Sequence, residues 1–189
     1  NLNSPESQAT RANFDAALAG TLGNGDEDFS NDTFTYTGAL DFETRAGTST
    51  TIGSWLATGG GALVGLDGPF ADLQQSKGSI GNGTATTTFY LFDANFGVPA
   101  SDFTVTHDDG IAVFEDGALL GDRVGPTARK VTEIPGFGGG EFEILYVATN
   151  SDPSILNVDV APIPLPAAAW LLMGGLAGLG VLGRKRRAA

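Results

Sequence analysis

Cysteine is absent from the 189 residues, and histidine and methionine each occur once. Without thiols there is no disulfide framework and no thiolate metal site. With His107 as the sole imidazole, a His-rich metal centre is excluded as well. A Ser-His-Asp triad would have to use His107, and no serine lies in a GxSxG elbow. There is also no P-loop and no GxGxxG opening a helix. The Gly-rich run Gly136 to Gly140 precedes a strand pattern, which suits a hairpin loop rather than a phosphate cradle. Paired carboxylates can hydrolyse glycosides, but so many acids produce such pairs by chance. The expectation is a protein without catalytic activity.

Positive charge is scarce over most of the chain. All 22 Asp and Glu lie at or before Asp159, against Arg11, Arg45, Lys77, Arg123, Arg129 and Lys130, which leaves this region at −16. Such a surface repels phosphates, so nucleic acid is excluded as a partner. It attracts divalent cations and suits salty surroundings that screen self-repulsion, although solubility alone also explains it.

The other four cations stand together at the C-terminus, as Arg184, Lys185, Arg186 and Arg187. Directly before them, Ala167 to Gly183 carries no charge, and from Ile163 the apolar or small character extends over about 20 residues, which at ~1.5 Å per residue crosses a ~30 Å hydrocarbon core. A single transmembrane helix is expected within 163–183. The cations anchor its end in the cytoplasm, Trp170 lies at the outer interface, and everything before Ala161 lies outside. Two domains follow: an acidic extracytoplasmic domain over 1–160 and a membrane tail over 161–189. Gly174 and Gly178 form a GxxxG pair that would let a second helix approach.

Ile163-Pro164-Leu165-Pro166-Ala167, an apolar helix and a short Arg-rich end together resemble the VPLPA variant of the PEP-CTERM sorting signal. Ile163 replaces the family's leading Val; the other four positions match, and the resemblance covers about the last 27 residues. It implies a bacterial exported protein, an exosortase-type processing protease as partner, and a signal peptide removed before Asn1. It also implies sorting to the cell surface or an exopolysaccharide matrix.

The 28 glycines, with Thr, Ser, Asn and Asp, cut the rest into short runs, and the expected fold is an all-β, antiparallel, jelly-roll-like sandwich. A short N-terminal helix opens it, with Ser4 as cap, Pro5 and Glu6 in the first turn, Ala9, Phe14, Ala17 and Leu18 on one face, and Gly20 as stop. Strands are expected at Thr33–Thr37, extending to Phe42, and at Thr84–Phe92 and Ala128–Ile134. Thr50–Leu56 with Ala62–Leu66 and Phe103–His107 with Ile111–Glu115 are expected as hairpins, and Glu141–Ala148 with Ile155–Val160 as a closing pair. In the penultimate strand Phe142, Ile144 and Tyr146 face one way, Leu145 and Val147 the other.

The segment His107 to Gly121, HDDGIAVFEDGALLG, resembles the DDG hairpin of protective-antigen-type β-sandwich domains, and 141–160 resembles their closing strands. In the glycan-binding members of that family, paired Asp residues hold a Ca²⁺ that meets sugar hydroxyls. The resemblance places that role on Asp108 and Asp109, with calcium as cofactor. On the residues alone, Asp108-Asp109-Gly110 is equally an ordinary turn. Two adjacent carboxylates without nearby cations are expected at a solvent-facing hairpin tip, and His107 on the surface beside them. Three functions therefore stand: an exported envelope or matrix protein, a membrane-anchored accessory subunit of an integral membrane complex, and a calcium-dependent module for extracellular polysaccharide.

Overall fold

The computed structural model describes residues 5–22, 33–44, 52–65, 87–94, 101–149 and 153–160. The expectations for 161–189, including the membrane helix, the sorting motif Ile163 to Ala167 and the anchor Arg184 to Arg187, lie outside these residues, as do those for Ser4 and 84–86. Among the described residues no helix is long and apolar enough to cross a membrane.

The N-terminal helix is broken in two. A single 3-10 turn covers Pro5–Ser7, and helix α1 covers Arg11–Leu18. Thr10 caps α1 by accepting the Asn13 N–H at 3.2 Å. The Asn13 side-chain amide donates to the carbonyls of Pro5 (2.7 Å) and Gln8 (2.9 Å), which fixes the break. Gly20 follows the helix at φ 68°, a conformation open to glycine.

Ten strands follow. They are β1 (Thr35–Thr37), β2 (Asp41–Glu43), β3 (Ala62–Val64), β4 (Thr88–Ala94), β5 (Ser101–Asp108), β6 (Gly110–Glu115), β7 (Ala118–Arg123), β8 (Lys130–Phe137), β9 (Phe142–Ala148) and β10 (Ile155–Val160). A second helix, α2 (Ile52–Ala57), lies between β2 and β3. The strands form two antiparallel four-stranded sheets, β2-β10-β5-β8 and β4-β9-β6-β7, plus the small β1-β3 pair. The large sheets face each other as a β-sandwich. Phe103, Val105, Ile134 and Leu156 of one meet Tyr90, Phe92, Ile111, Val113, Ile144 and Tyr146 of the other in one core.

Three hairpin expectations are corrected. Thr50–Leu56 is not a strand, because 52–57 is helical: Ile52, Trp55 and Leu56, spaced i, i+3 and i+4, form one buried face. Trp55 packs on Phe42, Tyr90 and Tyr146, and its Nε1–H donates to the Ser154 carbonyl at 3.1 Å. Strand β3 pairs with β1 instead. The stretches 103–107 and 111–115 belong to different sheets, and so do β9 and β10. In each case inward-facing apolar residues on both strands are served by facing layers rather than by pairing side by side. Strand β7 carried no sequence expectation; its Leu119-Leu120-Gly121-Asp122 has no alternation, and it pairs with β6 across a bulge at the sheet edge.

The alternation in β9 holds. Phe142, Ile144 and Tyr146 enter the main core, while Leu145 and Val147 lie on the opposite face with Ala112. Ala9 and Phe14 of the N-terminal segment cover that outer face, as expected of a packing helix. Leu18, expected on the same apolar face, is instead exposed. Arg11 ion-pairs with Glu143 and lies over the Phe114 ring at 5.4 Å.

Candidate functional site

The chain changes sheets within three residues. Asp108 is opposite Ile155 in one sheet, and Gly110 is opposite Val147 in the other. Asp109 makes the step at φ 71°, in the left-handed region that Asp tolerates better than most residues. Its N–H donates to the Thr127 carbonyl at 3.2 Å. Gly110 is required by close packing, since a Cβ there would lie 2.3 Å from the Val124 carbonyl oxygen.

The expectation of a solvent-facing tip is therefore corrected for Asp109, which is 1% exposed. A carboxylate is tolerated inside only if donors replace water. Here the Thr149 N–H, just past β9, donates to Asp109 Oδ2 at 2.7 Å. Asp108 is half-buried; burial pushes its carboxyl up, against backbone hydrogen bonds from Arg129 and Asp109. The Tyr146 hydroxyl donates to the Asp108 carbonyl at 2.7 Å, and burial, reinforced by the Asp109 charge, holds that phenol well above its ordinary value.

His107 is fully buried, not on the surface. Its Nδ1 lies 2.6 Å from the Asp109 carbonyl oxygen and its Nε2 lies 2.8 Å from Thr132 Oγ1 on β8. A carbonyl only accepts, so the hydrogen sits on Nδ1, and the Thr132 hydroxyl donates to Nε2. Burial is the main cause that lowers its pKa below 6.5, with Arg123 and Lys130 adding to it and the Asp109 carbonyl opposing. A neutral imidazole is thus a structural bridge between β5, the crossover and β8.

Calcium takes six to eight oxygens, and among the described residues no group of three or more Asp, Glu or His stands together to hold a metal ion. Asp93, Asp102, Asp116 and Asp122 do not converge on Asp108 and Asp109. Instead Asp93 and Asp116 line a cleft of about 670 Å³ at the end of sheet β4-β9-β6-β7, with Arg11, Glu141, Phe142 and Glu143. Sequence reasoning did not single out Arg11 or Glu143. The signal was faint, a cation and an anion 132 positions apart.

No protein-family model matches the chain, and no curated protein matches it. Among solved structures, it is similar to one described as a PA14 sugar-binding domain from RTX adhesin, at 16% identity and a TM-score of 0.48. The similarity covers 78% of this chain and 75% of that one.

Proposed function

We propose that this chain is an exported, non-enzymatic bacterial envelope or matrix protein, whose acidic β-sandwich is delivered to the surface by its C-terminal tail. The observation that carries the reading is the order of the last 27 residues: Ile163-Pro164-Leu165-Pro166-Ala167, an uncharged run to Gly183, then Arg184 to Arg187. The run is long enough to span a bilayer and the cations oppose its translocation. Two prolines in the sequence Ile163-Pro164-Leu165-Pro166 disfavour helix and favour extended backbone, the form that a protease recognises. The exosortase-type protease is the partner this assigns, and the mature protein resides at the cell surface after passage through the inner membrane. The −16 charge before the tail supports a solvated, non-nucleic-acid role.

Replacing Pro164, Leu165 and Pro166 by alanine should leave the full-length chain in the inner membrane. Unchanged processing and surface delivery in that variant would overturn the reading. If the wild-type chain itself stays full-length in the inner membrane, it is instead an anchored accessory subunit. A calcium-dependent glycan-binding role is the second reading of the sandwich. It draws on Asp108 and Asp109 standing adjacent at the sheet crossover with Asp108 only half-buried, and calcium-dependent melting tests it.

A further inference from the structure

The connection from β8 to β9 joins the two large sheets and is almost all glycine. Its first part is fixed by packing: Phe137 is buried, with its ring against Phe103 and Phe142. Beyond it, Gly138, Gly139 and Gly140 offer the core no side chain. Charge holds them instead. The Gly138 N–H donates to both Glu115 carboxylate oxygens, at 2.8 Å to Oε1 and 3.0 Å to Oε2, and the Gly140 N–H donates to Oε1 at 2.9 Å. Gly139 between them sits at φ 90°, which turns successive N–H groups towards one anion. A Cβ at Gly138 would stand 3.2 Å from Oε1, and one at Gly140 would stand 3.0 Å from Asp116 Oδ2 and 3.1 Å from Oε1, so the absence of side chains lets the carboxylate approach closely. At the other end, Asp102 of β5 accepts the Gly136 N–H at 2.8 Å. Asp102 thus fixes the end of β8 within its own sheet, and Glu115, from the other sheet, holds the linker itself.

The same linker borders the cleft. Asp116, next to Glu115, donates its N–H to the Glu141 carbonyl at 3.0 Å. Asp116, Gly117, Glu141 and Phe142 form that side of the cleft wall. We propose that Glu115 is a clasp that holds Gly138–Gly140 as a strap across this end of the sandwich, and that releasing the clasp loosens the cleft wall at Asp116 and Glu141.

The charged groups around the clasp are mostly acidic. The Asp116 carboxylate lies beside Gly140, Asp102 holds Gly136, Glu141 follows the strap, and Asp93 and Glu143 line the cleft with Arg11 as the cation there. Against those acids, the Gly138 and Gly140 N–H groups hold the Glu115 carboxyl below its ordinary value of 4.5. A depressed carboxyl stabilises the clasped form at all pH above the unfolded value. That contribution disappears only as pH falls through the lower, folded value. The strap thus stays shut at neutral pH and opens in acid or on loss of the carboxylate.

The test is NMR on the full chain in detergent micelles, with Glu115→Gln and Glu115→Ala beside the wild type. The wild-type Gly138 and Gly140 amide shifts should titrate together with a midpoint below 4.5. In Glu115→Ala at neutral pH these two amides should exchange about tenfold or more faster, as expected on losing hydrogen bonds to a charged group, and in Glu115→Gln, which keeps one uncharged acceptor oxygen, the increase should be smaller. The Asp116 and Glu141 signals should shift, while Leu145 and Val147 keep their protection. Acetate added to Glu115→Ala should restore slow exchange at Gly138. Equal exchange in wild type and variants would overturn the clasp. Unmoved Asp116 and Glu141 signals would overturn its link to the cleft. Loss of protection throughout β9 would show a global structural role instead of a local strap.

Discussion

The Thr149 backbone N–H donates a 2.7 Å hydrogen bond to Asp109 Oδ2, and this bond ties the step between the two sheets to the end of β9. It converts an acidic turn residue into an interior acceptor. The carboxylate sits in the interior, 1% exposed, where a hydrogen-bond donor must take the place of water.

Removing the acceptor should be costly. Asp109→Ala leaves a buried N–H unsatisfied and should destabilise by about 1–3 kcal/mol, read as a lower melting temperature. Asp109→Asn, which keeps an acceptor oxygen, should lose less. The calcium reading makes a separate demand: calcium should raise the melting temperature of the wild type and leave Asp108→Asn with Asp109→Asn unaffected. Equal stabilisation of both would assign the ion to the general acidic field.

His107 should make the fold acid-sensitive. Its folded pKa is lowered from 6.5 by burial, so above 6.5 the imidazole is neutral in both states and costs nothing. As pH falls below 6.5, the unfolded chain takes the proton first, and stability declines until the folded pKa is reached. Denaturant unfolding at pH 7.5, 6.5 and 5.5 should show this slope, and His107→Gln should flatten it.

Periodicity made some of this legible. Strict alternation in Phe142 to Val147 assigned both faces of β9, and Phe34 and Tyr36 do share a face against the core. Alternation reports which way a side chain points, but not which strand lies beside it. Hence Asp108-Asp109-Gly110, which has the composition of a hairpin turn, passes for one when it is a passage between layers. Burial of Asp109 and His107 depended on partners 40 and 25 positions away, Thr149 and Thr132, which no local pattern marks. Helix α2 reads as a strand in sequence because Ile, Trp and the flanking threonines favour strands, although the 52, 55, 56 spacing is helical. Glu115 carried no signal either, since its partners are backbone N–H groups of glycine.

Trp55 joins α2 to both sheets, stacking on Tyr146 at 5.5 Å between centroids while bonding the Ser154 carbonyl. Trp55→Ala should cost about 3–5 kcal/mol through the cavity it leaves. Trp55→Phe retains most of the ring contact and loses the hydrogen bond, for about 1 kcal/mol. Melting curves that place the two variants together would show that the hydrogen bond, not the packing, dominates.

The most direct test of export and tail-dependent sorting is the intact mass of the protein recovered from the cell surface or surrounding matrix. The account predicts a chain that ends upstream of Trp170, with the apolar run and Arg184 to Arg187 removed. A surface-recovered chain whose mass includes every residue to Ala189 would contradict it, as would recovery of the protein from the cytoplasm alone.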